Sequence, residues 1–576
     1  MSKYLLVDFY VDEPACFGVP PFISPYIRYT YGAIKRASPD NHIDFITVDE
    51  LRDKKFSVEP GQYQMVIVVA GWTVPGRYLG GKIGSVADIL NFIETNSSYR
   101  GSTYLGGPIK NSPPHVLEQI ERAGITLLEK NLEDEVYFLL AGNQPENQFS
   151  YCTDYENINY FAPSGAEVVS KHFRFPHVIA EIETYRGCTR KQHCSFCSES
   201  FYKQPIFRPV QEILDEIEAL YNAGCLNYRL GRQADLYTYM ADMKNMKNGF
   251  PRPNPSLIEE LYTGIRKVAP KLEVLHLDNV NPGTLATFPE ESISITKIIA
   301  DNNTAMDTAA MGMESADPAV IKKNFLKADQ EEMMRAIEII HEHGQHGSGL
   351  PSISPGLNFI GGLPGETDKT HEMNYSFLRK VLENGFNLRR INIRQVHPIE
   401  NTPLVGILAR EKKRGQKGIQ NKFEYYKSKI RKDIDSKMLQ RVFPKGTIIQ
   451  KVVLEKKVPN GYLGRAVGSY PITCHVWTSD ELLKKNYAAK DYLGPFYSVS
   501  AIVVGYKERA VYALALEDDI QAIGEYIWKK IVPDSVARSI WQHGIKNTAN
   551  QLPEYLSPLV DSIMNPNEDL VSNTKS

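Results

Sequence analysis

Residues 185–199 read Tyr-Arg-Gly-Cys-Thr-Arg-Lys-Gln-His-Cys-Ser-Phe-Cys-Ser-Glu and place the thiols of Cys188, Cys194 and Cys197 within one short loop. The loop follows a strand-like run at 178–184 and precedes a helix-like run. Thiolates are soft ligands that suit zinc or iron–sulfur clusters, and clustered cysteines in a chain without secretory features more often bind metal than form disulfides. Structural zinc takes a closed set of four ligands, usually in two pairs. Three cysteines on one loop therefore favour a [4Fe–4S] cluster held at three corners, with its fourth iron open to a substrate or cofactor.

Two other interpretations of these thiols stay open. His193 could complete a Cys3His zinc site, although it is adjacent to Cys194, where ring and thiol point apart. It is as easily a solvated loop residue. A disulfide within the triplet is the other alternative.

The triplet resembles the cluster loop of radical S-adenosylmethionine (SAM) enzymes, because Phe196 precedes its last cysteine and the loop follows the first strand of a β/α series. Its spacing, five residues and then two, departs from the usual CxxxCxxC pattern. The resemblance implies that the amino and carboxylate groups of SAM chelate the open iron. An electron from the reduced cluster would then break the sulfonium C–S bond and yield a 5′-deoxyadenosyl radical, so that the cofactors carry the hard chemistry.

Length and composition predict a globular protein of about three domains. The chain has 576 residues, of which 42% are hydrophobic and 23% charged, as in ordinary globular proteins. A net charge of −2 gives no global field that would favour nucleic acid or a membrane. No run approaches the ~20 apolar residues of a membrane helix, and Asp8 comes too early for a signal peptide. We therefore expect a cytoplasmic protein.

Residues 1–150 alternate short apolar runs with helical stretches, which predicts an α/β domain with a Rossmann-like parallel sheet. The predicted strands are 4–9, 43–48, 65–70 and 102–105, and the predicted helices are 26–35, 86–94 and 115–122. Glycine-rich turns at 71–81 and 106–108 lie at carboxyl ends of strands, where such sheets bind ligands.

This front domain resembles the cobalamin-binding-type domain that precedes many radical SAM domains, which makes cobalamin a candidate cofactor. The Asp-x-His-x-x-Gly motif that supplies a lower axial histidine is missing, and Asp40-Asn41-His42 imitates only its start. A scaffold domain without a ligand is the alternative. Methylthiotransferases carry three cluster cysteines in their front domain, whereas only Cys16 lies in the first 150 residues here. The interpretation as a methylthiotransferase is therefore disfavoured.

Predicted strands and helices continue to alternate through residues 165–405. This alternation predicts a partial (β/α)6 barrel, whose ligands lie at the carboxyl ends of its strands. By resemblance to radical SAM barrels, the motif Gly231-Arg232-Gln233, after a strand at 227–230, would meet the amino end of SAM, and Gln233 and Arg232 fit that role by position. Asn279 or His276, from a strand at 272–279, could face the active centre. A histidine in a strand is, however, more often a partnered core residue.

Further along the predicted barrel, the resemblance assigns three more strand ends to SAM. Glu314, in Met-Gly-Met-Glu-Ser, matches the carboxylate that hydrogen-bonds the ribose. Gly361 and Gly362 would let the backbone approach adenine and ribose. Gln395 ends the last strand and could reach SAM or substrate. The complete predicted SAM set is Phe196, Gly231, Gln233, Asn279, Glu314, Gly361, Gly362 and Gln395.

Seven segments carry a resemblance to a family narrower than the superfamily: 12–15, 18–26, 73–81, 181–188, 229–235, 278–284 and 389–396. They resemble an archaeal family of large radical SAM proteins of unassigned reaction, some of which end in a helix-hairpin-helix motif. The resemblance covers about residues 1–405. It implies a cluster and SAM but names no substrate.

The remaining chain is predicted as a basic helical linker over 406–440, a small β domain over 441–510 and a helical tail over 511–576. In the linker, Phe423, Tyr425 and Tyr426 lie among lysines and arginines, which suits phosphate neutralisation and base stacking. A solvated linker helix is the alternative. The predicted strands at 447–455, 466–476 and 497–506 look loosely like the β-barrel that ends several tRNA-modifying radical SAM enzymes. Helices are predicted at 513–531 and 533–545, before a disordered end from 565.

The sequence thus predicts a radical SAM [4Fe–4S] enzyme that depends on an external electron donor of the ferredoxin or flavodoxin type. RNA, tRNA in particular, is the leading substrate hypothesis, and it rests on the basic segment and the β tail. Cobalamin-assisted methyl transfer to a protein or small molecule is the second. A non-catalytic, metal-stabilised nucleic-acid-binding protein is a third alternative, which predicts bound zinc and no SAM cleavage.

Overall fold

The computed structural model describes residues 2–13, 16–53, 58–71, 78–142, 154–346, 349–411, 417–478, 496–516 and 524–564. They form a front domain, a β/α barrel and a tail, in this order along the chain. The predicted disordered end, 565–576, lies outside the described residues. No helix in the described ranges is both long enough and apolar enough to span a bilayer.

The front domain is the predicted Rossmann-like layer. Its strands are β1 (Lys3–Asp8), β2 (Asp12–Glu13), β3 (Cys16–Phe17), β4 (Phe22–Ile23), β5 (His42–Thr47), β6 (Met65–Val69), β7 (Thr103–Gly106) and β8 (Ile125–Leu127). Its helices are α1 (Pro25–Ala37), α2 (Val48–Arg52), α3 (Val86–Thr95), α4 (Pro114–Arg122) and α5 (Leu132–Ala141). The parallel sheet has the order β5-β1-β6-β7-β8, so its topological switch point lies between β1 and β6. All predicted elements are confirmed, and β2, β3, β4, β8, α2 and α5 are additional.

The second unit is the predicted partial barrel. Its helices are α6 (Ile158–Ser164), α7 (Val168–Lys171), α8 (Val210–Asn222), α9 (Pro255–Val268), α10 (Pro282–Thr287), α11 (Pro289–Asn302), α12 (Pro318–Asn324), α13 (Gln330–His343) and α14 (Thr370–Glu383). Its strands are β9 (Ile179–Glu183), β10 (Tyr185–Arg186), β11 (Ile206–Phe207), β12 (Asn227–Gly231), β13 (Asp242–Lys247), β14 (Phe250–Arg252), β15 (Val274–Leu277), β16 (Asn279–Val280), β17 (Asp307–Glu314), β18 (Ile353–Gly361) and β19 (Arg390–Gln395).

Parallel pairing runs in the orders β4-β9-β12-β15 and β16-β17-β18-β19. Asp278 joins the two sheets between β15 and β16, because its N–H donates to Leu230 O (3.0 Å) and its carbonyl accepts from Ala310 N (3.1 Å). The unpredicted strand β4 comes from the front domain and adds one strand beside β9. The partial (β/α)6 barrel is therefore confirmed and tied to the front domain by backbone pairing.

Strand alternation makes the barrel apolar outside and polar inside. Leu275, Met311 and Phe359 point outward into the main hydrophobic core under the helices. Inside, the Arg229 guanidinium pairs with Glu181 (3.1 Å) and with Asp278. Because buried charges must be paired, this interior is a built polar network.

The tail consists of helices around a small closed β-barrel. Its helices are α15 (Pro403–Glu411), α16 (Lys417–Ile430), a π-helical turn (Arg431–Asp435), α17 (Ser436–Val442), α18 (Glu525–Trp528), α19 (Asp534–His543), α20 (Ile545–Thr548) and α21 (Ser557–Met564). Its strands are β20 (Ile448–Val458), β21 (Gly461–Ala466), β22 (Thr473–Trp477), β23 (Tyr497–Lys507) and β24 (Ala510–Ala515). The barrel closes in the order β20-β21-β22-β24-β23.

Two predictions for the tail are wrong. A helix was predicted to begin at residue 513, but residues 513–515 are the last residues of strand β24. The small β domain therefore extends to Ala515 rather than 510. Alanine and leucine favour helix, but pairing with β22 and β23 closes the barrel, and such pairing outweighs propensity. The strand predicted at 466–476 begins only at Thr473, and β21 lies before it.

The tail barrel inserts a loop into the interior of the β/α barrel. Tyr470 O–H donates to Asp278 Oδ1 (2.6 Å), and the Arg390 guanidinium lies 3.8 Å from the centre of the Tyr470 ring. Ser469 N–H donates to His276 Nδ1 (2.8 Å). Tyr470 has φ +49°, a strained conformation for a residue with a side chain. The tail is therefore part of the barrel interior.

Candidate functional site

The three cysteines lie within electrostatic reach of one another after β10. Cys194 is buried, and Cys188 and Cys197 are half-buried. Burial raises the pKa of the Cys188 thiol to about 11, and nearby Cys194 adds to the shift. Burial likewise raises the pKa of Cys197, with Glu199, Cys194 and Cys188 contributing. Thiolates so placed are unfavourable by themselves and become favourable when they ligate a cationic group.

Hydrogen bonds fix the cysteine loop against the end of α12. Arg190 Nη1 donates to Cys194 Sγ (3.3 Å) and to Phe325 O (3.1 Å). Ser195 donates from its N–H to Asn324 O (3.0 Å) and from its hydroxyl to Asn324 Oδ1 (2.9 Å). The loop is therefore held at Cys194 and at the residue after it.

Buried ion pairs support the loop from the ends of β9 and β12. Arg232 Nη1 donates to Glu199 Oε1 (2.8 Å), and Arg186 Nε donates to Glu183 Oε1 (2.8 Å). Glu199 also accepts from Gly187 N (2.8 Å). Arg232 thus holds the loop, whereas its position in the sequence suggested contact with SAM.

The arrangement fits an iron–sulfur cluster better than zinc or a disulfide. Within the described ranges, no three His, Cys, Asp or Glu side chains converge as a single metal ion requires. Cys188, Cys194, Cys197, Cys225 and Cys474 are free thiols. In a [4Fe–4S] cubane each cysteine binds a different iron, so its thiolates stand farther apart than around one ion.

Among the buried side-chain atoms that have no hydrogen-bond partner in the described residues, two oxygen atoms belong to the strand ends predicted to hold SAM. They are Gln233 Oε1, after β12, and Glu314 Oε2, at the end of β17. Gln233 Nε2 donates to Leu230 O (2.9 Å), which orients the amide. An unmet buried acceptor costs about 1–3 kcal/mol, so both atoms favour a ligand that brings donors. The amino group and ribose hydroxyls of SAM are such donors.

Lys327 lies between the Glu314 carboxylate and the three cysteine thiols, and its place in the site was not predicted from the sequence. Burial would lower the pKa of Lys327, but Cys194, Glu314, Cys197 and Cys188 together raise it. Gly312 leaves room for this pair, since a Cβ there would lie 2.2 Å from Glu314 Oε1 and 3.1 Å from Lys327 Nζ. Burial raises the pKa of Glu314 to about 7, against the opposing charges of Lys327 and Arg394.

Asn279 lies beside Gln233, whereas Gly231 and His276 serve the barrel interior. Asn279 Nδ2 donates to Gln233 O (3.2 Å). A Cβ at Gly231 would lie 1.9 Å from Glu181 Oε1, so this glycine admits an interior carboxylate. His276 is buried and accepts a hydrogen bond from Ser469, as a partnered core histidine does.

The four remaining predicted SAM contacts lie in the cysteine loop and at the ends of β18 and β19. A Cβ at Gly361 would lie 2.5 Å from the Phe423 ring, so α16 rather than a ligand fills that space. Gln395 is exposed, and strand alternation puts it on the outer face with Ile393. Gly362 has φ +87° and donates from its N–H to Glu366 Oε2 (2.8 Å). Phe196 packs with Cys194, Val320, Leu326 and Leu363.

The basic segment packs as a paired helix. Phe423 is buried beside Gly361. Lys422 pairs with Asp368 (2.9 Å), and Lys429 pairs with Asp433 (2.6 Å). These contacts favour the solvated-helix interpretation of this segment over a surface for nucleic acid.

Comparison with known proteins gives relatives that cover most of the chain. Residues 182–378 match the model of the Radical SAM superfamily. An uncharacterised protein of Archaeoglobus fulgidus is 39% identical over 524 residues, which cover 90% of this chain and 91% of that protein. One of Methanocaldococcus jannaschii is 36% identical over 544 residues, 90% of this chain and 94% of that protein. The solved structure of the radical SAM methyltransferase TsrM of Kitasatospora setae, with cobalamin and a [4Fe–4S] cluster bound, has a TM-score of 0.44 at 15% identity, covering 73% of this chain and 80% of that chain.

Proposed function

The chain belongs to the radical SAM superfamily, in one family with the A. fulgidus and M. jannaschii proteins, and on this premise we propose which residues hold its two cofactors. Cys188, Cys194 and Cys197 ligate the [4Fe–4S] cluster, and Gln233 and Glu314 bind SAM. The cluster, when bound, supplies the electron that cleaves the sulfonium of SAM, so that the resulting radical modifies a substrate.

The observation that carries this proposal is the pair of unmet buried acceptors beside the cysteine loop. Gln233 Oε1 would accept from the amino group of SAM, and Glu314 Oε2 from its ribose. Lys327 balances the negative charge of Glu314 and of the thiolates. Val320 and Leu326 exclude water around Cys194, which strengthens these electrostatic contacts. Anaerobic reconstitution followed by an assay for 5′-deoxyadenosine tests the proposal.

Glu314→Gln is expected to weaken SAM binding about tenfold, because a hydrogen bond to a charged group is worth about 1.5–3 kcal/mol. Equilibrium dialysis of SAM against the reconstituted protein measures this effect. Glu342→Gln, at an exposed position of α13, is the matched control and should bind SAM as the wild type does. Equal affinity of the Glu314 variant and the wild type would remove Glu314 from the SAM site.

RNA is the substrate class that we propose on the structure of the tail. Exposed Lys456 and Lys457 lie near the end of β20, and exposed Tyr497 pairs with Leu454 across the sheet. Lysines beside an aromatic face suit a single-stranded nucleic acid. This face of the tail is the support for RNA.

Total tRNA is expected to bind at low salt, and Lys456→Glu with Lys457→Glu should weaken binding by about tenfold. Filter binding at increasing salt measures the affinity and its salt dependence. The matched control is Lys267→Glu with Lys271→Glu, two exposed lysines at and after the end of α9. No binding of tRNA at low salt would remove RNA as the substrate.

Cobalamin-assisted methyl transfer is the second candidate, and the position of the front sheet favours it. Asp12 follows β1 at the switch point and lies within electrostatic reach of Arg394, near the end of β19. A ligand at the carboxyl edge of the front sheet would therefore face the mouth of the barrel. Absorbance of the protein after incubation with hydroxocobalamin and gel filtration decides whether it retains the cofactor.

A further inference from the structure

Phe325 is an exposed aromatic residue in a conformation that favours glycine. It caps α12 with φ +55° and ψ +43°, and its side chain is 40% exposed. Glycine is the usual residue at a left-handed helix cap, because other residues pay a steric cost there. Within the described residues, the Phe325 ring belongs to none of the hydrophobic clusters. A residue that breaks a local rule without a packing gain points to a function.

Three lysines lie on the segments that meet beside Phe325. Lys322 lies in the last turn of α12, one turn before Phe325. Lys191 N–H donates to Gly249 O (3.0 Å), so the β13–β14 hairpin, with Lys247 at its tip, lies against Lys191. All three lysines are exposed, and in the described part of the chain none of them forms an ion pair. Because the whole chain carries a net charge of −2, this group of cations is a local feature.

The side chain of Arg190 connects this surface to the thiol of Cys194. Arg190 Nη1 is 3.1 Å from Phe325 O and 3.3 Å from Cys194 Sγ. The Arg190 guanidinium also lies 5.4 Å from the centre of the Phe250 ring in the hairpin. The α12 cap, the hairpin and the cysteine loop therefore meet at this arginine.

We propose that Phe325, Lys191, Lys247 and Lys322 form the docking surface for a small acidic electron-carrier protein. An exposed aromatic centre with a charged rim is the usual arrangement of a transient interface, in which the ring gives affinity and the charges give rate and orientation. The inference rests on the proposed function. One electron leaves the reduced carrier and enters the cluster held by the three cysteines, and no atom is transferred in this step.

The proximity to Cys194 favours a carrier over RNA at this surface. A carrier must bring its redox group close to the cluster, because electron transfer weakens steeply with distance. A nucleic acid gains nothing from that proximity. Single-stranded nucleic acids favour several aromatic platforms, and here a single exposed ring, that of Phe325, stands among the described residues that define the surface.

The test measures binding of the reconstituted holoenzyme to an acidic flavodoxin and to an acidic ferredoxin by calorimetry. The double variant Lys247→Glu with Lys322→Glu should bind at least one carrier about tenfold more weakly than the wild type, with the difference shrinking at high salt. Phe325→Gly should weaken binding as well while keeping or raising the melting temperature, because glycine relieves the backbone strain. Lys267→Glu with Lys271→Glu is the charge-matched control and should bind normally.

Production of 5′-deoxyadenosine with dithionite separates this proposal from the proposed function. The variants should keep the dithionite-driven rate and lose the carrier-driven rate. If dithionite yields no product with the wild type, the proposed function fails. The calorimetry still decides whether the carriers bind at the proposed docking surface. The docking proposal is overturned if the wild type binds neither carrier, if the variants bind as tightly as the wild type, or if these variants lose tRNA binding instead.

Discussion

Cys194→Ala is expected to abolish formation of 5′-deoxyadenosine, a loss of at least about a hundredfold, and to lower the iron bound after reconstitution. The reason is the number of ligands, since a cluster held at three corners has no spare protein ligand. Cys194 is also the most enclosed of the three cysteines, with the side chain 4% exposed and Arg190 donating to its sulfur. The measurement is anaerobic reconstitution with iron and sulfide, reduction by dithionite and chromatographic assay of the nucleoside.

Cys225→Ala is the matched control. Cys225 is equally buried, but its thiol faces Asn227 O (3.4 Å), within the barrel core. Its replacement should cost about 1 kcal/mol of stability and leave iron content and the nucleoside yield at wild-type levels. The assignment of the cluster would be wrong if Cys194→Ala bound as much iron as Cys225→Ala and still cleaved SAM.

The sequence was informative where local chemistry carries the signal. The cysteine spacing predicted the cluster loop, and the alternation of strands and helices predicted both the front sheet and the partial barrel. Gln233 and Glu314 could be selected because each matches, by its position at or after a strand end, a residue that holds SAM in radical SAM barrels. Glu314 also closes a nearly apolar strand with a charged group that would be costly without a partner. The structure adds the specific finding that each retains one unmet oxygen atom.

The contacts that the sequence could not reveal come from segments far apart along the chain. Lys327 is one of several lysines after β17, and only the fold shows that it reaches Glu314 and the thiols. Tyr470 lies in a loop of the tail and contacts Asp278, almost two hundred residues earlier. Gly361 was expected to approach a ligand, yet Phe423 of α16 fills the space beside it. In all three cases tertiary packing decides what a residue touches, and spacing along the chain carries no record of it.

The second large effect is expected at Glu216, which bridges the front domain and the barrel. Its carboxylate pairs with Arg28 of α1 (2.7 Å) and with Arg208 before α8 (2.5 Å), and all three side chains are fully buried. Burial alone would raise the pKa of Glu216, but the two guanidinium groups outweigh it and hold the pKa below its ordinary value. The carboxylate is therefore charged in the folded protein and balances two buried cations.

Glu216→Ala is expected to lower the free energy of unfolding by about 3–5 kcal/mol, because it leaves two guanidinium groups buried without a counter-charge. Urea denaturation followed by fluorescence measures the loss. Glu218→Ala, at an exposed position of the same helix, should change stability by less than about 0.5 kcal/mol. The difference between the wild type and Glu216→Ala should be full at neutral pH and should shrink as the pH falls below about 4, because a carboxylate with a depressed folded pKa stabilises the protein only while it remains ionised. An equal loss for both variants, or a difference that persists in acid, would show that the two arginines are not held by the charge of Glu216.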